Sequence, residues 1–170
     1  TGNGGAVSAS SGSPVITFMN PTFTDNTADS DASGSGDGGG VFGTSNVTLI
    51  NTISAGNIDS SAATKHPDLS GAFSASSTNN LIGDGTGMTG FTHGSAGNMV
   101  GTVGTPINAF LAPLGNYGGP TQTHALLSTS TAINNGTATG APTTDQRGIG
   151  RSGATDIGSY EAVQTLSVTP

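Results

Sequence analysis

Five charged residues near the C-terminal end of the sequence have the types and the spacing that could support chemistry. Asp145, Arg147, Arg151, Asp156 and Glu161 lie close together in a chain with only three basic residues. A planar guanidinium group binds a carboxylate, or an anionic substrate, through two hydrogen bonds. The surrounding segment is irregular and rich in glycine, so it needs side-chain bonds to stay folded. We therefore interpret the cluster as a structural latch, with an anionic-substrate site as the alternative.

Other catalytic patterns are missing from the sequence. No Gly-x-Ser-x-Gly elbow, phosphate loop or dinucleotide fingerprint occurs. The histidines, His66, His93 and His124, are too far apart in the sequence to have metal-ligand spacing. Glu161 is the only glutamate and Asp84 stands alone between glycines, so no carboxylate pair is arranged for glycoside cleavage. We predict no catalytic residue, no cofactor and no enzymatic activity, and we interpret His124 as structural.

The segment 29–40, DSDASGSGDGGG, opens like a calcium-binding loop. Asp29, Asp31 and Asp37 are its candidate ligands, but Gly40 stands at the twelfth position, where a bidentate glutamate belongs. We expect a solvated turn with at most weak calcium binding. The excursion that follows, residues 58–75, is predicted to be an exposed polar loop.

Composition limits the partners of the chain. A formal net charge of −7 with three basic residues leaves no basic patch for nucleic acid or anionic membrane. The chain has no cysteine, and no apolar run approaches the length of a membrane span. A secreted or bacterial cell-surface protein fits this composition. Asn46 and Asn135 begin Asn-x-Thr sequences and are candidate glycosylation sites, which allows a glycan as a partner.

An internal repeat predicts the fold. The segments 4–26 and 38–57 both contain a glycine pair, a valine and alternating apolar residues, and Val7 of the first corresponds to Val41 of the second. Short β segments in a repeat of this kind predict an all-β fold, a short right-handed parallel β-helix of about two coils. Outward positions are expected to be Thr, Ser or Asn. The repeated asparagines, Asn20, Asn26, Asn51 and Asn57, are predicted to occupy tight turns and to form ladders between coils.

The remaining sequence is predicted to close this stack. Residues 1–103 are assigned to coils and loop excursions, and residues 104–161 to an irregular glycine-rich C-terminal cap. The apolar run 106–114, PINAFLAPL, is expected to lie across the open end of the coils. Residues 162–170 form a tail with a short strand pattern at Val163, Leu166 and Val168.

Three motifs carry a resemblance to a known family. NNLIGDGTG (79–87), APLGNYGGPTQTHALLSTSTAINNG (112–136) and TDQRGIGRSGATDIGSYE (144–161) resemble the C-terminal module of bacterial choice-of-anchor Q domain proteins, and GGGVFGTSNVTLINTISAGN (38–57) resembles the preceding coils. The resemblance implies a right-handed parallel β-helix at the bacterial surface and supplies no catalytic residue. Relatives of this kind carry numerous coils, whereas about two are predicted here.

We therefore expect a non-enzymatic structural protein of the bacterial surface or extracellular matrix. Head-to-tail self-association into a filament is one form it can take, with the tail 162–170 pairing with the exposed coil edge of the next copy. A carbohydrate-binding or adhesion module is the alternative, and aromatic residues such as Tyr117 and Tyr160 lining a groove would favour it. A polysaccharide lyase-like fragment is the third hypothesis, and it requires three carboxylates on one face.

Overall fold

The chain folds into short β-strands with almost no helix. A computed structural model describes residues 2–12, 14–32, 34, 36–62, 64–151 and 153–163. A single turn of 3₁₀ helix spans Ser95–Gly97 in these residues, and no helix there is long or apolar enough to cross a bilayer. The strands are β1 (Val7–Ser8), β2 (Ile16–Met19), β3 (Thr22–Phe23), β4 (Thr27–Ala28), β5 (Val41–Gly43), β6 (Val47–Ile50), β7 (Ile53–Ser54), β8 (Ile58–Asp59), β9 (Leu69–Ala72), β10 (Leu81–Ile82), β11 (Met88–Thr89) and β12 (Met99–Val100).

The pairs formed between these strands are all parallel. Two four-stranded sheets have the orders β1-β5-β9-β11 and β3-β7-β10-β12, and two further pairs are β2-β6 and β4-β8. Each sheet therefore stacks strands from successive passages of the chain, which we call rounds: β1–β4, β5–β8, β9–β10 and β11–β12. Val7 pairs with Val41, so the predicted alignment of the first two repeats is confirmed. The all-β prediction is confirmed as a stack of parallel strands.

The described stack has more rounds than the two that the repeat predicts. Strand β9 lies inside the segment 58–75, where an exposed loop was expected, and pairs Leu69 with Val41. Strands β11 and β12 add another layer on β9 and β10. The last round is shorter: the stacked asparagines Asn20 and Asn51 are 31 positions apart, whereas Asn80 and Asn98 are 18 apart. The later rounds also lack the Gly-Gly-Val signature, so sequence similarity does not mark them as repeats.

The interior of the stack holds one hydrophobic core. Alternation puts Val47 and Leu49 of β6 inside, while Thr48 between them is half-exposed. The inward residues of successive rounds then contact one another: Ala9, Val41, Val47, Leu49, Leu69, Phe73, Ile82 and Phe91 are all buried in this cluster. Burial of these apolar side chains from consecutive rounds is what holds short, glycine-flanked strands together.

Asparagines form the corners of the stack. Asn20, Asn51 and Asn79 adopt left-handed backbone conformations, with φ of 54°, 50° and 53°. Asn has this freedom because its side chain bonds locally. Asn51 Nδ2 donates to Asn20 Oδ1 at 3.2 Å, so the predicted turn and ladder are confirmed at this corner. At the other predicted pair, the Asn57 side chain accepts from the Asn26 backbone N–H at 3.1 Å.

The C-terminal segment lies along the side of the stack, not across its end. In the sheet β3-β7-β10-β12, Thr22, Ile53, Leu81 and Met99 form one file. Ile53 and Leu81 of this file pack outside the stack against residues of the C-terminal segment, forming a second core with Ala109, Leu126, Ala132 and Ile157. The expectation that outward positions are polar is therefore wrong for this sheet. The expectation that the apolar run 106–114 lies across the open end of the stack is wrong as well, because Ala109 of this run packs against Ile53 and Leu81. An apolar outer file needs a cover, and the C-terminal segment provides it. We call residues 104–163 the lateral module.

Candidate functional site

Arg147 and Asp145 form the centre of the charged cluster. Both the Nε and the Nη2 atoms of Arg147 donate to Asp145 Oδ2, at 2.9 and 2.7 Å. The Asp145 side chain is fully buried and that of Arg147 is 6% exposed. The guanidinium also lies 3.6 Å from the centre of the Tyr160 ring, which is a cation–π contact. Its donors and one of its faces are thus used inside the protein.

Asp145 is an acceptor for several backbone groups as well. Its Oδ1 accepts from the N–H groups of Arg147 and Ile149, and its Oδ2 from that of Glu161 at 2.9 Å. Burial alone would raise the pKa of this carboxyl, but the hydrogen bonds from the Glu161 backbone and from Arg147 outweigh it, so the pKa is lowered. Asp145 therefore stays ionised and joins residues 145–149 to residue 161.

Arg151 and Glu161 form a second ion pair, with Nη1 and Oε2 2.8 Å apart. Their side chains are 4% and 5% exposed. Arg151 Nη2 also donates to the Gly158 carbonyl at 2.8 Å, and Glu161 Oε2 accepts from the Asp156 N–H at 3.1 Å. Burial is the main cause that raises the pKa of Glu161. This pair bends the chain between 151 and 161 around one buried carboxylate.

The Asp156 side chain bonds backbone groups. Its Oδ1 accepts from Asn134 N–H at 2.7 Å and its Oδ2 from Ala162 N–H at 2.6 Å. Its carbonyl accepts from Asn20 Nδ2 at 3.2 Å, which connects the cluster to the first round. The structure thus brings all five predicted charged residues together. Four of them form two ion pairs, and the Asp156 carboxylate accepts hydrogen bonds from two backbone N–H groups. The arrangement uses its charges internally and suits the latch better than an anionic-substrate site.

A groove of about 710 Å³ lies between the lateral module and three rounds of the stack. Asp25, Asp68 and Asp84 line it, together with His124 and Phe110. Sequence reasoning missed this group of carboxylates because its members belong to different rounds and have no common motif. A weak signal was available: Asp25 and Asp84 each come two residues after a short strand, β3 and β10.

Asp68 holds the turns of the groove together. It is 3% exposed, and its Oδ1 accepts from the backbone N–H and the Nδ2 of Asn57 at 3.0 and 2.9 Å. Its Oδ2 accepts from Asp84 N–H at 2.7 Å. Burial, its largest influence, raises the pKa of this carboxyl. The expectation that residues 58–75 form an exposed loop is therefore wrong at Asp68, and both carboxylate oxygens are occupied by structural bonds.

The other sequence-predicted residues lie apart from this groove or are structural within it. His124 Nδ1 bonds the Ala112 carbonyl at 2.8 Å, a structural contact. Tyr117 and Tyr160 pack edge to face, 6.2 Å apart, beside Arg147 and do not line the groove. The two candidate glycosylation residues, Asn46 and Asn135, are exposed. Asn135 Nδ2 donates to the Thr131 and Ile133 carbonyls, both at 3.0 Å.

Asp37 does not lie beside Asp29 and Asp31, where a calcium-binding loop would need it. Asp29 Oδ2 accepts from Gly34 N–H at 3.1 Å within the loop, while Asp37 Oδ1 lies 2.7 Å from His66 Nδ1. Within the described ranges, neither Asp29 nor Asp31 joins Asp37 in a group of three ligand atoms. Asp37, Asp59 and His66 form such a group, with their ligand atoms all within 4.8 Å of one another. Sequence reasoning missed it because Asp37 and His66 are 29 residues apart.

Comparison with known proteins identified no relative of this chain. No protein-family model matches the chain, and neither curated proteins nor solved structures give a significant match.

Proposed function

We propose that the chain is a short right-handed parallel β-helix that serves as a non-enzymatic structural module on the outside of a bacterial cell, where copies join head to tail. The observation that carries this proposal is the row of strands in the first round. In the part of the chain that the structure describes, β1, β2, β3 and β4 each have a partner strand on one side only. The resemblance to choice-of-anchor Q domain proteins supports the handedness and the location.

The open side of the first round has the properties of an assembly surface. A row of unpaired strand edges is a template for further strands. Val7, Ile16, Phe18 and Phe23 at this end are only partly buried against the core. The opposite end presents β11 and β12, whose Met88 and Val100 are also partly buried.

The direction of the strands favours a repeating contact. All rounds run parallel, so the last round of one copy can pair with the first round of the next while the parallel ladder continues. Such a contact joins two different surfaces and, if it does not close into a ring, generates a filament. The predicted tail strand contributes nothing to this argument, because residues 164–170, with Leu166 and Val168, lie outside the described residues.

A proline in β2 tests the assembly. Ile16 and Asn20 donate their N–H groups to round two, so the N–H of Thr17 points to the open side. Thr17→Pro removes that donor without breaking a bond inside the stack. We expect filaments of the wild-type chain by negative-stain microscopy, and a critical concentration about tenfold higher for the variant, equivalent to about 1.4 kcal/mol.

Thr17→Ala is the matched control, since it keeps the N–H and should polymerise as the wild type does. Sedimentation of each protein over a concentration series measures the critical concentration, and thermal unfolding confirms that the stack is intact. A wild-type protein that stays monomeric at every concentration, or a proline variant that assembles normally, contradicts the proposal.

Phe110 supports a second candidate, a carbohydrate-binding module. It lines the groove, is 40% exposed, and has a left-handed backbone with φ of 49°. A bulky residue in this conformation is strained, and such strain is concentrated at functional sites. A groove with an aromatic wall and a few polar groups is the usual form of a ligand site.

Titration calorimetry against bacterial surface polysaccharides tests this candidate. Phe110→Ala should weaken glycan binding at least about tenfold, which is about 1.4 kcal/mol. Leu114→Ala is the control, because Leu114 is 58% exposed and does not line the groove. Equal binding by both variants would place any glycan contact elsewhere.

A further inference from the structure

Three side chains that the latch and the groove do not use converge on one face of the stack. Asp37 precedes β5, Asp59 ends β8, and His66 lies in the segment before β9. Their ligand atoms all lie within 4.8 Å of one another. The pair His66 Nδ1 and Asp37 Oδ1 is 2.7 Å apart, and the exposed fractions of these two side chains are 19% and 36%. The group is therefore partly sheltered but open to solvent on one side.

The backbone holds these ligands in place. Asp59 Oδ2 accepts from His66 N–H at 2.7 Å, and Asp59 Oδ1 accepts from Ser61 N–H at 2.9 Å. The His66 carbonyl accepts from the N–H groups of Gly38 and Gly39. A Cβ at Gly87, where φ is 92°, would clash with the His66 ring, so glycine at this position leaves room for the imidazole. Each oxygen of Asp59 keeps a second lone pair.

A buried hydroxyl belongs to Ser61, whose backbone N–H bonds the Asp59 carboxylate. Ser61 is 2% exposed, and its Oγ has no hydrogen-bond partner in the described part of the chain. A buried hydroxyl without a partner is costly, and an unseen ion or water is a usual explanation.

We propose that Asp37, Asp59 and His66 bind a divalent first-row transition-metal ion of the Zn²⁺ type. One imidazole nitrogen and two carboxylates form a mixed nitrogen and oxygen ligand set, which suits zinc and its neighbours. Calcium and magnesium prefer oxygen ligands alone. Metal binding displaces the proton of the hydrogen bond between His66 Nδ1 and Asp37 Oδ1, and that proton leaves to solvent.

The histidine signals test the site without any substitution. The chain has three histidines, so two serve as internal controls during a Zn²⁺ titration of the full, untagged protein by ¹H–¹⁵N NMR. We expect the His66 Nδ1 resonance to shift and saturate while those of His93 and His124 stay unchanged. Equal shifts at all three histidines, or no saturable shift at His66, overturn the proposal.

Thermal unfolding with and without Zn²⁺ gives an independent measurement. At free Zn²⁺ about 100-fold above Kd, the Tm of the wild type should rise by about 5–10 °C. Asp37→Asn and His66→Gln should abolish the rise. His93→Gln and Asp25→Asn, which lie outside the group, should keep it. A rise that persists in both ligand variants, or one produced by Ca²⁺ and not by Zn²⁺, refutes the assignment.

Discussion

Arg147 connects several parts of the lateral module. Its guanidinium bonds the Asp145 carboxylate through two nitrogens, contacts the Glu161 carbonyl and covers the Tyr160 ring. A lysine has one ammonium group and cannot make these planar contacts together. Because the Asp145 side chain is fully buried, its charge is stabilised by the Glu161 backbone N–H and by this guanidinium. Arg147 thus joins residue 145 to residues 160 and 161, beside the second pair of Arg151 and Glu161.

Replacing Arg147 tests the latch. Arg147→Ala leaves a buried carboxylate without its partner, so the free energy of unfolding should fall by about 3 kcal/mol, with Arg147→Lys in between. Urea denaturation measures both values. Lys65→Ala is the control, since Lys65 is an exposed cation outside the cluster. An unchanged stability of Arg147→Ala would contradict the latch.

The same variant has a defined pH dependence. Asp145 has a lowered pKa in the folded chain, so its contribution is complete above the unfolded-state pKa and disappears as the pH falls through the folded value. The difference in stability between wild type and Arg147→Ala should therefore be greatest near neutral pH and should shrink in acid. A constant difference at all pH values would indicate that Arg147 acts through packing alone.

Sequence reasoning reached this cluster but not its pairing. Asp145, Asp156 and Glu161 are chemically equivalent candidates for an arginine when only their order is known. Their distances from Arg147 and Arg151 depend on where the irregular chain turns, and those turns depend on contacts with the stack. Asp68 could not be predicted at all, because its burial results from Asn57 and Asp84, in the turns of two neighbouring rounds.

At the scale of the elements, buried asparagines replace the long ladders that two-residue strands cannot form. Asn80 is fully buried, its Oδ1 accepts from Thr52 N–H at 2.8 Å, and its Nδ2 donates to the Leu49 carbonyl at 2.9 Å. The same Nδ2 donates to Asn98 Oδ1 at 2.8 Å. One amide therefore joins round two, round three and round four. Such networks are strong because every member is satisfied.

Asn80→Ala should be strongly destabilising for this reason. It leaves the buried Thr52 N–H without its acceptor and removes one of the two donors to the Leu49 carbonyl, which keeps the Thr78 N–H. We expect this to cost about 2–3 kcal/mol in the free energy of unfolding. Asn116→Ala is the matched control, since Asn116 is exposed and makes one local bond to Gly118. Chemical denaturation of both proteins gives the comparison, and equal losses would show that the buried amide has no special role.

The sequence predicts the first two rounds well and the later ones poorly, for a physical reason. Rounds one and two repeat both the glycine pair and the strand pattern, so they are visible as similar segments. Later rounds keep only what the core requires, a pair such as Leu81–Ile82 with an asparagine before it. Any short apolar pair between turns fits that description, and the interior contacts decide which pairs become strands.

At the scale of the whole molecule, the lateral module turns an open stack into a two-core protein. Ile157 is fully buried and packs with Ile53 and Leu81 of the stack and with Leu126 of the module itself. Ser159 N–H donates to Thr22 Oγ1 at 3.1 Å, next to this contact. The second core is therefore both a hydrophobic interface and a set of specific bonds to the first two rounds.

Ile157→Ala should weaken this interface. A buried isoleucine replaced by alanine costs about 2–5 kcal/mol, and the loss should make the lateral module a target for limited proteolysis before the stack unfolds. Ile149→Ala is the control, because Ile149 belongs to the same module and is 40% exposed. Cleavage at the same rate in both variants would argue against a separate lateral interface.

The position of the module could not be predicted from the sequence. The apolar run 106–114 indicates that something apolar is covered, but not which surface. In a strand of two residues, such as Ile53–Ser54 or Leu81–Ile82, alternation is too short to separate the inward from the outward residue. Only the assembled stack shows that Ile53 and Leu81 face outward while Ile82 faces the interior core.

The bonds between Asn20 and residues 156 and 158 have a consequence for how the protein unfolds. They join positions 136 and 138 residues apart, from the first round to the last described segment. A simple repeat array loses its terminal repeats one at a time, because each contacts only its neighbour. Here the first round cannot detach without also releasing the end of the chain. The molecule should thus melt as one cooperative unit, and it should fold slowly, since its decisive contacts form only after nearly the whole sequence is in place.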